Sequence, residues 1–152
     1  MCGGMAFIGK NKELFEVYFP QPYPKIEAFT KDNSKIQCIW GRRSEKEFEG
    51  SEIPITGWAR IEAIKAEKWH KYDPEKVYIL PEKYMEKDKY GKSHWFEPPP
   101  DKTLVGLLVE AEKHQKVVYV VTVPSPKKYA HIHNRWPMLT KTFFQDVIFE
   151  GW

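Results

Sequence analysis

The chain has 152 residues, of which 41% are hydrophobic and 15% aromatic, with 24 basic and 21 acidic side chains for a net charge of +3. That length fits one domain over residues 1–152 with a core of its own, and two cysteines exclude a scaffold stapled by disulfides. The near balance of charge excludes binding driven by net charge alone, while leaving room for a local basic groove.

The first ten residues carry neither a basic leader nor a long apolar run. No stretch approaches the roughly 20 apolar residues of a membrane helix. A cytoplasmic monomer without a membrane segment is therefore expected. Leu14 and Phe15 read as a short helical turn before Pro20, Pro22 and Pro24. Lys35–Trp40 is a β-branched and aromatic run that stops at Gly41, and it predicts a strand. Over residues 59–69, Ile61, Ile64 and Trp69 recur at a spacing that predicts an amphipathic helix. Strands are expected at 77–80, stopped by Pro81, and at 94–97. The strongest lie at 103–111 and 117–123, joined as a hairpin, with another at 137–139. Thr140 is placed to cap a last helix carrying Phe143, Phe144, Val147 and Ile148. The sum is an α+β domain with a mostly antiparallel sheet.

Cys2 follows the initiator methionine and precedes Gly3 and Gly4. With Met1 removed, residue 2 carries an α-amine beside a thiol. An α-amine titrates at roughly 7.7–8.0, so much of it is neutral at physiological pH, unlike a lysine at about 10.4. A neutral amine condenses with an aldehyde to a Schiff base, and the neighbouring thiol then closes a thiazolidine ring. Only an N-terminal cysteine forms that ring.

Several segments, in order, resemble the SOS response-associated peptidase family, whose studied members cross-link to abasic sites in single-stranded DNA. The family opens Met-Cys-Gly-Arg, and this chain opens Met1-Cys2-Gly3-Gly4. A Trp-Gly pair closes an early strand of the family, as Trp40-Gly41 does here. Trp58-Ala59-Arg60-Ile61-Glu62 matches the family's Asn-Ala-Arg-x-Glu, with Trp58 at the Asn position. The stretch Ile79 to Lys87 keeps the proline, aromatic and final Glu of a family strand. Val105-Gly106-Leu107 and Val120-Val121-Thr122 match two more strands, and Ile132-His133-Asn134-Arg135-Trp136-Pro137 matches Ile-His-x-Arg-x-Pro almost fully.

The resemblance implies a curved or barrel-like antiparallel core with a few peripheral helices. It also implies a covalent thiazolidine between Cys2 and the abasic aldehyde, with no cofactor and no metal. Glu86 and His133 then stand as the catalytic carboxylate and imidazole, moving protons near neutrality. Arg60 matches the motif arginine and is suited to grip a phosphate. Arg135 is expected to meet a phosphate or a carboxylate, and Glu62 to serve as structural support. Trp58, Trp40, Arg42 and Arg43 are expected along the DNA cleft, where a ring offered to an unstacked base contributes roughly 1–3 kcal/mol. Two other readings stay open: a cysteine peptidase that processes Met1 through Cys2 and His133, and a module that binds single-stranded nucleic acid without covalent chemistry.

Overall fold

The computed structural model describes residues 2–141, and its organising feature is a closed ring of five strands. These are β3 (Lys25–Phe29), β4 (Lys35–Trp40), β6 (Glu75–Ile79), β9 (Lys102–Glu110) and β10 (Lys116–Pro124). The ring runs β4–β3–β6–β9–β10 and closes where β10 meets β4 in parallel, every other pairing being antiparallel. Its thinnest seam is β3 to β6, paired at one position, Phe29 with Tyr78. Three short strands extend it. These are β5 (Trp58–Arg60) and β11 (Arg135–Pro137) on β10, and β12 (Leu139–Lys141) on β9.

A second sheet of four strands lies against the ring in the order β2 (Leu14–Tyr18), β1 (Cys2–Ile8), β7 (Lys83–Lys87), β8 (Ser93–Phe96). One core cluster joins the two. Met5, Val17 and Tyr84 of the small sheet pack with Ile26, Trp40, Val77 and Val118 of the ring. The two long ring strands are buried on both faces, so they read as near-continuous apolar runs instead of an alternation. Val118 and Val120 belong to the cluster shared with the small sheet, while Val117, Tyr119 and Val121 pack under Phe48, Ile53 and Trp69.

The sequence places the strand at 35–40 correctly, and those at 77–80, 94–97, 103–111 and 117–123 to within two residues. Three expectations change. Leu14 and Phe15 begin strand β2, because their backbones pair with Ile8 and Phe7 of β1. The helix expected over 59–69 shrinks to α1 (Ile61–Lys65), because residues 58–60 are drawn into pairing with β10. Thr140 lies in β12 opposite Thr103, and the helix expected beyond it lies outside the described residues. Among the described residues no helix is long and apolar enough to cross a membrane.

Candidate active site

Cys2 and Glu86 sit directly opposite each other where β1 pairs with β7. Residues so paired in antiparallel strands share a face, with Cβ atoms about 4.5–5.5 Å apart. The register slips between Cys2 and Gly4, and this bulge re-aims the start of β1. Both residues are 0% exposed. Burial pushes the Glu86 carboxyl up to about 7, so it exchanges protons near neutral pH. Burial and the neighbouring Glu86 also raise the Cys2 thiol well above its ordinary range, so the sulfur keeps its proton, and Sγ points to the Gly4 carbonyl at 3.4 Å. The other cysteine, Cys38, is buried in the core and its thiol is pushed up to about 12.

Trp58 reaches across from β5 and donates its indole N–H to the Cys2 carbonyl at 2.7 Å. Trp58 therefore supplies a side-chain N–H donor and adds a ring. That ring packs on Phe19 with centroids 4.7 Å apart, and Phe19 in turn meets Trp40 at 5.7 Å. The Phe19 backbone N–H donates to Gly3 at 3.1 Å, tying the end of β2 to the start of β1.

A cleft of about 530 Å³ opens beside this pair. Its walls include Gly3 and Met85, chain neighbours of Cys2 and Glu86, with Tyr18, Phe19, Trp58 and His133. Sequence reading alone offers no reason to single out Tyr18, Phe19 or Met85 as cleft residues. They become so because Gly4 carries no side chain. A Cβ on Gly4 would lie 3.1 Å from the Tyr18 ring and 3.2 Å from the Met85 methyl. The absent side chain leaves the space those two fill.

His133 takes the backbone N–H of Arg135 on its Nδ1 at 3.1 Å. The neutral ring therefore carries its proton on Nε2. Burial holds the imidazole below its usual range and so favours the neutral ring, whose Nδ1 is engaged by Arg135. His131, two residues earlier, is exposed.

Three residues expected along the DNA cleft, and Arg135 with them, do structural work instead. Trp40 is 0% exposed in the core, with its indole N–H on the Gly57 carbonyl. Arg42, 2% exposed, spends its guanidinium on the carbonyls of Ser44, Glu45, Glu47, Ser51 and Ile53. It thereby knots the loop between β4 and β5. Gly41 opens that loop at a φ of +62°, and a Cβ there would sit 2.5 Å from the Thr56 carbonyl oxygen, so only glycine fits. Arg43 pairs with Glu47 at 2.8 Å, bonds the Phe19 carbonyl and lies over the Phe19 ring. Arg135 makes two bonds to Glu62, at 2.7 and 3.0 Å, and one to the Thr122 carbonyl, so of its two expected partners the carboxylate holds. None of these guanidinium groups is placed to take a phosphate. Arg60 is exposed at the end of β5, outside the cleft walls.

Compared with protein-family models and with curated proteins, the chain matches none.

Proposed function

We propose that the chain, once Met1 is removed, binds single-stranded DNA and captures the ring-opened aldehyde of an abasic site as a thiazolidine on Cys2. The observation that carries this reading is the register of Cys2 against a buried carboxyl that titrates near neutrality. The resemblance to SOS response-associated peptidases points to the same residues.

In the proposed sequence the Cys2 amine adds to the aldehyde carbon, and the carbinolamine loses one water to give the Schiff base. Protonated Glu86 donates to the departing oxygen, and its carboxylate takes the proton from nitrogen. The Cys2 sulfur then adds to the imine carbon while its proton passes to the nitrogen. The ring closes with the loss of one water overall and no change of oxidation state. A thiol that keeps its proton suits this order, since the amine attacks first and the thiol follows. It does not suit a cysteine peptidase, whose nucleophile is a thiolate with a lowered pKa.

Trimmed protein mixed with single-stranded DNA carrying one abasic site should give a covalent band resistant to denaturation. The band should disappear with Cys2→Ala and persist with Cys38→Ala. Trimmed wild-type protein that yields only reversible, salt-sensitive binding would replace this reading with the non-covalent module.

A further inference from the structure

A second aromatic groove lies beside the cleft, on the far side of strands β7 and β8. It measures about 670 Å³ and offers the partly buried rings of Trp95, Phe96 and Tyr129. Tyr129 stacks on the buried Trp136 with ring planes 7° apart, and Phe96 meets both edge-on, so the platform is rigid. Its rim carries Lys83, Lys102 and Lys128 against one carboxylate, Glu97.

One ring contact links the two grooves across the small sheet. Met85 stands opposite Trp95 in the β7–β8 pairing, and Gly4 lies between Tyr18 and Met85. Tyr18 lines the cleft, Trp95 lines the second groove, and their rings touch edge-to-face with centroids 6.2 Å apart. Trp58, Phe19 and Tyr18 thus line the cleft, and Trp95 meets Tyr18 at its edge. Lys87 and Lys89 also line the cleft. Asp88, the acidic residue between them, is engaged by His94 at 2.8 Å and by the backbone N–H groups of Tyr90 and Lys92.

We infer that this second groove holds nucleotides flanking the captured lesion, a base stacked on Trp95 and the phosphates met by Lys83, Lys102 and Lys128, the last held over the Tyr129 ring at 4.9 Å. The inference rests on the proposed DNA reading and extends it to residues that no motif marks. Rings at intervals with interleaved cations are what a sequence-tolerant single strand requires, because every base offers a π-face and every link a charge. The excess of lysine over carboxylate favours a polyanion over a neutral apolar peptide.

The test uses an undamaged oligothymidine of about ten nucleotides, within the usual footprint of such sites. Binding is read by fluorescence anisotropy over a salt series. Trp95→Ala should weaken it about tenfold, and Trp95→Phe should recover most of the loss because a ring remains. Replacing Lys83, Lys102 and Lys128 together by Ala should make the slope of log affinity against log salt shallower by roughly 2. Affinity within twofold of wild type for Trp95→Ala, or an unchanged salt slope for the triple variant, overturns the inference. Either result would assign the groove to another occupant, such as a proline-rich peptide. The oligonucleotide carries no aldehyde, so the readout is independent of Cys2, and failure of the groove is told apart from failure of the cross-linking reading.

Discussion

Glu62 and Glu86, the two glutamates marked by the sequence motifs, end in opposite surroundings. Glu62 lies on α1 beside the ring and is gripped by Arg135, whose hydrogen bonds hold its carboxyl below the usual range. Glu86 lies on the small sheet, where burial has pushed its carboxyl up to about 7. The same side chain is thus a fixed anion in one place and a proton carrier in the other. On the ring side, charge is matched by partners: Arg135 with Glu62 and Thr122, Arg43 with Glu47, Arg42 with loop carbonyls. At the junction of β1 and β7, desolvation governs. A group paired with its opposite charge resists titration, whereas a desolvated carboxyl titrates close to working pH, as proton transfer requires.

The largest expected effect tests the ring side of that contrast. Arg42→Ala leaves several buried carbonyls without their donor and opens a void in the loop. It should lower unfolding stability by about 3–4 kcal/mol, read as a lower urea midpoint. Arg42→Lys should recover only part of this, because an ammonium has three donors where the guanidinium serves five carbonyls. If Arg42→Ala kept its stability and lost affinity for single-stranded DNA, the arginine would belong to the DNA surface after all.

Glu86→Gln tests the other side. The folded carboxyl titrates at about 7 and the unfolded one near the ordinary 4.5. Between those two values the folded state holds a proton that the unfolded state has released. The Glu86 contribution to stability therefore falls as pH rises through this window, by about 3 kcal/mol in total, and is flat above it. Glutamine cannot ionise, so the variant should lack this fall and be the more stable protein at pH 8. Its cross-linking should be slower by about a hundredfold, the usual scale for losing a general acid–base group. Wild-type and Glu86→Gln stability curves that ran parallel across the window would show that Glu86 is not buried as a neutral acid.

Long elements were legible in the sequence, and the surroundings of the candidate site were not. The runs that form β4, β9 and β10 are apolar enough to be read directly, because burial on both faces leaves few polar interruptions. Strands β1, β2 and β3 escaped propensity because glycines, an early Glu and flanking prolines hide them, and only pairing with neighbours makes them strands. The Cys2, Glu86 and His133 set was visible only through motif order. Local composition puts Glu86 among Glu82, Lys83, Lys87 and Asp88, which reads as surface, yet it is buried. The arginines misled for a related reason. A guanidinium in a motif looks the same whether it meets phosphates or loop carbonyls, and the closing of the loop at 41–57 decides which.

The smallest expected effect concerns Trp58, which touches both sides of the contrast: it sits on β5, paired to ring strand β10, and holds the Cys2 carbonyl. Trp58→Phe keeps a ring against Phe19 and removes only the N–H donor. Losing one such bond is worth about 1 kcal/mol, or roughly a fivefold change. If the bond serves to aim Cys2, the loss should fall on the rate of cross-linking at saturating DNA, with strand affinity kept. Trp58→Ala removes the ring as well, and should weaken binding of the strand in addition. If Trp58→Phe shifted affinity and left the saturated rate untouched, the indole would be acting as a stacking surface alone, and the placement of Cys2 would depend on the β1–β7 register without help from β5.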